Sequence, residues 1–171
     1  VLINIALVAR RSVWNYPFGI AAVALYGFVF LEAKLYSDML LQGFFLALNL
    51  YGWVNWRRAQ AEAGEVVVLT LGWPARTAGL AGCALAIWVW GALMQRFTDA
   101  AAPWWDAAVA ITSVAAQLLL ARRYLENWAL WSLVDLVAVP LFAMRGLWLT
   151  AGVYVVLLGL SIWGAIGWHR A

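Results

Sequence analysis

Charge is scarce in this sequence. Only 11% of its 171 residues are Asp, Glu, Lys or Arg, where a water-soluble domain carries about 25%. So few charges cannot cover a surface that faces water. With 67% hydrophobic residues and a mean hydropathy of +0.86, the chain reads as an all-α polytopic membrane protein. Cysteine is nearly absent. Cys83 stands alone, which excludes an intramolecular disulfide. The only histidine, His169, is remote from it in sequence, so the chain has no His/Cys metal cluster. No phosphate-cradling glycine loop is visible, which excludes an ATP motor of that type. Nor is there a Ser-His-Asp or paired-carboxylate arrangement, which argues against an enzyme. No cofactor and no metal are expected. The net charge of +3 and a pI near 9.4 could suggest nucleic acid. The cations sit in pairs between apolar runs, and membrane topology accounts for them better.

What the chain has in abundance is apolar sequence. Runs cover about 1–8, 16–31, 39–56, 78–94, 104–121, 128–144 and 147–168. Six are near the roughly 17–25 residues that span a bilayer as a helix. The first is short, and its arginines follow it rather than precede it, unlike a signal peptide. It is read as the tail of a truncated first helix, giving seven transmembrane helices with helix 1 incomplete. If the chain alternates sides, Arg10, Arg11, Arg57, Arg58, Arg76, Arg122, Arg123 and Arg170 fall on one side, and Lys34, Arg96 and Arg145 on the other. The positive-inside rule makes the rich side cytoplasmic. The expectation is a multi-pass protein of the bacterial inner membrane with a cytoplasmic C-terminus.

The sequence also repeats. Shifted by 112 residues, Arg10, Arg11 and Asn15 fall on Arg122, Arg123 and Asn127. Without a gap, Phe30 meets Phe142, Leu35 meets Leu147, Gly52 meets Gly164, Trp56 meets Trp168 and Arg58 meets Arg170. Helices 1–3 therefore repeat as helices 5–7, and helix 4 is unpaired. Equivalent helices are four apart, an even number, so both halves point the same way. The expected organisation is a 3+1+3 parallel repeat: residues 1–58 as the first three-helix unit, 59–103 as linker and helix 4, and 104–171 as the second unit. Secondary transporters use such repeats, with substrate held between them; structural membrane proteins also arise by duplication.

Polar groups are costly in hydrocarbon and tend to face a bundle interior or cavity. Gln42, Asn49, Trp53 and Trp56 are spaced 7, 4 and 3 on helix 3, which puts them on one face. Asn127, Trp131 and Asp135 form a second stripe on helix 6, and Asp106, Ser113, Gln117 and Tyr124 a third on helix 5. Each has a bland alternative. Trp53 and Trp56 adjoin Arg57 and Arg58, where interfacial tryptophans occur in any case. Gln42, Asn49 and Gln117 could bond neighbouring helices, and Asn127 could cap helix 6. Asp135 is the strongest signal, because an Asp near the middle of a spanning helix costs about 2.5–3.5 kcal/mol. Pro140, one turn later, loosens helix 6. Tryptophan faces attract cations by about 0.5–2 kcal/mol, and amides and carboxylates bond hydroxyls. The set suits a flat, polar, cationic ring.

The stretches "LYSDMLLQGFFLALNLYGWVNWRR", "PWWDAAVAITSVAAQLLLARRYLENWALWSLVD" and "MRGLWLTAGVY" carry a WxxW motif on helix 3 and an NxxxW motif on helix 6. Together they resemble the PnuC family of bacterial nicotinamide riboside transporters, from about Asn15 to Trp168. The resemblance implies a fold similar to the sugar-carrying SWEET proteins, with helices arranged three plus one plus three. It implies facilitated diffusion of nicotinamide riboside toward NAD biosynthesis, with trapping by phosphorylation in the cytosol, and a homotrimer in the lipid bilayer. It carries the WxxW roles to Trp53 and Trp56 and the NxxxW roles to Asn127 and Trp131. Gln42, Asn49, Gln117 and Asp135 match polar positions of the family. The expected site lies between helices 3, 5, 6 and 7. Related family members carry thiamine or riboflavin, which leaves those vitamins as the alternative cargo. A non-transporting assembly factor or sensor is the alternative of another class, and it predicts no cavity beside Asn127 and Asp135.

Overall fold

The structure is a computed structural model that describes residues 1–32, 36–98, 103–144 and 146–170. Lys34, Leu35 and Arg145, used above for topology and repeat, lie outside the described residues. Seven helices are described: α1 (Leu2–Ala9), α2 (Asn15–Glu32), α3 (Tyr36–Ala63), α4 (Trp73–Phe97), α5 (Pro103–Ala121), α6 (Asn127–Met144) and α7 (Trp148–His169). Of these, α4, α5, α6 and α7 are long and apolar enough to cross a membrane, and α2 has a shorter apolar stretch, Asn15–Val29. The protein is a multi-pass membrane protein. Six near-spanning runs were expected from the sequence. Length and apolarity together single out four helices, because α3 dilutes its apolar residues with Gln42, Asn49, Asn55, Arg57 and Arg58.

Local chemistry sets the helix ends. Gly72 is extended (φ −70°, ψ 159°) just before α4, and Pro74 follows in the first turn, where its missing N–H is no loss. Pro103 opens α5, and Asp106 in its first turn complements the positive end of the helix dipole. Three helices end in the same way. After α1, the Arg11 N–H donates to Val8 O (2.8 Å) and the Ser12 N–H to Leu7 O (2.9 Å). After α5, Arg123 donates to Leu120 O and Tyr124 to Leu119 O, both at 2.9 Å. After α6, Gly146 donates to Ala143 O (3.0 Å) and Leu147 to Phe142 O (2.9 Å). This crossed pair of bonds is the Schellman ending, whose penultimate donor sits in the left-handed region. Gly146 does so at φ +74° without penalty, whereas Arg11 and Arg123 adopt φ +56° and +67°, uncommon for a residue with a Cβ.

The packing is a ring. α1 touches α2 and α7, α2 touches α3, α3 touches α5, α5 touches α6, and α6 touches α7. Among the described elements α4 packs on α5 alone and is the least buried of the long apolar helices. At one end the ring is shut by aromatic side chains. Tyr16 meets Trp56 edge to face (5.4 Å between centroids), Trp56 meets Trp168 (5.8 Å), and Trp168 meets Trp128 edge to face (5.6 Å). All four are buried. Gly52 and Gly164 let the rings in, since a Cβ at either would collide with Tyr16 or Trp128. The Trp56 indole N–H donates to Leu120 O (3.0 Å), and the Trp168 indole N–H to Val8 O (3.1 Å). The linker before α4 closes over the same end: Leu69 and Arg123 to Leu125 exchange backbone bonds of 2.8 Å, and Glu126 accepts from the Leu71 N–H (3.0 Å) and from Arg76.

Candidate functional site

Above the aromatic closure the ring encloses a cavity of about 310 Å³, within the range of small-molecule sites. Its wall draws twelve residues from 1–49 and twelve from 109–161. Ten of the first twelve have the residue 112 positions later in the second group, from Val1 with Ser113 to Asn49 with Ser161. The cavity therefore uses positions related by that spacing. The side chains differ. Gly19, Val23 and Ile5 correspond to Trp131, Asp135 and Gln117, so at these three positions small or apolar residues are matched by aromatic or polar ones, while Asn15, Gln42 and Asn49 keep the first set polar elsewhere.

Of the eight residues singled out from sequence, Gln42, Asn49, Gln117, Asn127, Trp131 and Asp135 line this cavity together. Trp53 and Trp56 do not. Trp56 is fully buried in the aromatic closure and holds Leu120 O, and Trp53 packs against that cluster. Ser113 also lines the cavity, but Asp106 and Tyr124 of the same stripe do not. The site was expected between helices 3, 5, 6 and 7; α1 and α2 contribute as well, through Asn4 and Asn15 among others.

Hydrogen bonds fix the polar wall. The Asn49 amide N–H₂ donates to Phe45 O (2.8 Å), and Gln117 donates to Asn49 Oδ1 (3.4 Å), linking α3 to α5. Ser161 Oγ donates to Asp135 Oδ2 (3.1 Å), linking α7 to α6. Asn127 Nδ2 donates to Tyr124 O (2.7 Å). That bond ties the turn before α6 and answers the capping alternative: the amide nitrogen is structural. Asn127 Oδ1 is buried without a partner among the described residues. Sequence reasoning passed over Ser161 and Tyr154. The 112-residue register pairs them with Asn49 and Gln42, and it was the signal that could have found them. Among the described residues, Asp135 is the only ionisable acid or base side chain of the wall other than the tyrosines. Among the described residues no group of His, Cys, Asp and Glu could hold a metal.

Residues 1–170 match the family model described as "Nicotinamide mononucleotide transporter". It belongs to the PnuC family of membrane transporters. The nicotinamide riboside transporter PnuC of Escherichia coli K12 is 31% identical over 98% of this chain and 80% of that protein. The riboflavin/roseoflavin transporter RibM of Streptomyces davaonensis is 33% identical over 98% and 79%. A solved structure, the crystal structure of the vitamin B3 transporter PnuC, superposes with a TM-score of 0.76 at 27% identity, covering 98% of this chain and 77% of its own. PnuC-family proteins are transporters and not enzymes.

Proposed function

We propose that this PnuC-family protein carries nicotinamide riboside across the bacterial inner membrane by facilitated diffusion. The observation that carries this reading is the composition of the cavity wall among the described residues: one carboxylate, Asp135, beside an indole, Trp131, with Asn127, Gln42, Asn49 and Gln117 around them. The pyridinium ring stacks on Trp131, Asp135 offsets its charge, and the amides bond the carboxamide and ribose. Trp53 and Trp56 serve the closure of the ring rather than the ring's guest. A phosphorylated nucleotide suits the wall poorly, because among the described residues no Lys, Arg or His lines it and a phosphate beside Asp135 is repelled. The similarity to RibM favours riboflavin as the second reading; a neutral flavin gains no charge pairing from Asp135.

The mechanism we infer is alternating access by rocking of two three-helix units, α1–α3 and α5–α7, with α4 as the link. The recurrence of helix endings, indole bonds and cavity positions at one spacing of 112 residues supports this 3+1+3 reading. The arginine count supports a cytoplasmic C-terminus. The broad uncovered face of α4 is consistent with a homotrimer in the bilayer. Net uptake then follows from phosphorylation of the cargo in the cytosol, toward NAD. Binding of nicotinamide riboside, thiamine and riboflavin to the purified protein, followed by counterflow in proteoliposomes, tests the reading. Selective riboside binding with label exchange is expected. Riboflavin binding alone, or riboside binding without exchange, overturns it. Accumulation driven by a proton gradient overturns the passive step.

A further inference from the structure

A second cavity, of about 680 Å³, lies outside the ring against α6 and α7. Trp128 lines both it and the central cavity, and so separates them. The floor of this groove is apolar, formed by Leu125, Ala129, Ile162, Ala165 and Ile166. Among the described residues its basic side chains sit at one end, where the start of α6 meets the end of α7: Arg76, His169 and Arg170. Ser132 and Ile162 mark the other end, roughly 10 Å along the helix axes at 1.5 Å per residue. Ile162 and Ile166 are about half exposed, so the groove opens sideways, toward the hydrocarbon of a bilayer.

The groove has a cause in the sequence. In the 112-residue register Trp53 occupies the position of Ala165, while Arg57 and Arg58 occupy those of His169 and Arg170. Trp53 and Ala165 both pack against the aromatic closure. In the first half an indole takes up the volume; in the second half a methyl group leaves it empty.

We propose that the groove is a binding site for one anionic glycerophospholipid, its acyl chain along α6 and α7 and its phosphate at Arg76 and Arg170. The division of chemistry matches an amphiphile. A small anion would leave the apolar floor uncovered, and a hydrocarbon would leave the guanidinium groups unused. Arg76 is held in place rather than used up: its Nε and Nη2 donate to Glu126 Oε1 (3.0 and 2.7 Å), while its Nη1 has no partner among the described residues. Arg170 has no ion-pair partner among the described residues either. The Glu126 charge is matched by Arg76, so the rim keeps a positive excess, and guanidinium groups bind phosphate through paired N–H donors.

Delipidated protein in a neutral detergent is titrated with dioleoylphosphatidylglycerol, dioleoylphosphatidylcholine or inorganic phosphate and read by native mass spectrometry. One phosphatidylglycerol per protomer is expected, with phosphatidylcholine at least about fivefold weaker, the effect of one cation at a charged lipid, and no retained inorganic phosphate. Ala165→Trp should abolish the bound lipid and leave cargo binding in the central cavity unchanged. Arg170→Gln should bring phosphatidylglycerol within twofold of phosphatidylcholine. Equal binding of the two lipids, or lipid retained in Ala165→Trp, overturns the proposal. So does a change of oligomeric state in Ala165→Trp with lipid retained, which assigns the groove to a second copy of the chain. Should Ala165→Trp fail to fold, the Arg170→Gln ratio decides alone, and an unchanged ratio overturns the site.

Discussion

On the proposed reading, Asp135 selects cargo through charge and not shape. It faces the cavity, it accepts from Ser161 at 3.1 Å, and among the described residues its wall holds no cation to compete for it. Asp135→Asn keeps the volume and the Ser161 contact but removes the charge. Affinity for the cationic riboside should fall about five- to tenfold, the range of one partly desolvated charge contact, while affinity for an uncharged nucleoside analogue stays within twofold. Isothermal titration with the two ligands checks this, and an equal loss for both would assign Asp135 to packing. Trp131→Ala should weaken the riboside by up to about thirtyfold, given about 0.5–2 kcal/mol per cation–ring contact. The six polar and aromatic cavity residues were legible in the sequence because helical spacing reports which face a side chain occupies. The two tryptophans of WxxW were not, because spacing reports no depth. Trp56 lies seven residues below Asn49 on the same face, roughly 10 Å along the axis, where the ends of α1 and α5 have already closed the ring.

Helix boundaries follow a different logic from apolar runs. The apolar run of α3 stops near Trp56, yet the helix continues to Ala63. Arg57, Arg58, Gln60, Ala61 and Glu62 are strong helix formers, and hydropathy is blind to them; Gly64, at φ +79°, ends the helix. The paired arginines show the same gap. Their recurrence at 10–11 and 122–123 was plain in the sequence, but it was read as topology. The structure adds that Arg11 and Arg123 each occupy the left-handed position of a helix ending, a backbone role no charge count reveals. Gly64 and Gly146 hold such positions too. Gly146→Ala should lower stability by about 1 kcal/mol, the penalty of a Cβ in that region. Gly159→Ala, in mid-helix with open space around it, should be neutral or gain up to about 1 kcal/mol. Thermal unfolding in detergent with both variants tests the contrast, and equal shifts would refute it.

At the scale of the molecule, a ring of six helices must open at one end to release what it holds. Two indole bonds cross between the halves there, Trp56 to Leu120 O and Trp168 to Val8 O. Each is expected to contribute about 1 kcal/mol. Replacing either indole by Phe should therefore raise the open population about fivefold. Hydrogen exchange reads it out at the amides of 8–12 and 120–124. If one motion breaks both bonds, either variant accelerates exchange at both turns by a similar factor. Acceleration confined to the turn facing the substituted residue would show that the two bonds part independently.

Both of those bonds end on main-chain oxygens. An acceptor of that kind is supplied by every amino acid, so the bonds impose no codon on positions 8 and 120 so long as the helices end where they do. The genetic burden falls wholly on the donors. In a saturation library scored for growth on the cargo, substitutions at Trp56 and Trp168 should be depleted, while apolar replacements at Val8 and Leu120 persist. The two halves can thus drift apart in sequence at their helix ends and still engage one another.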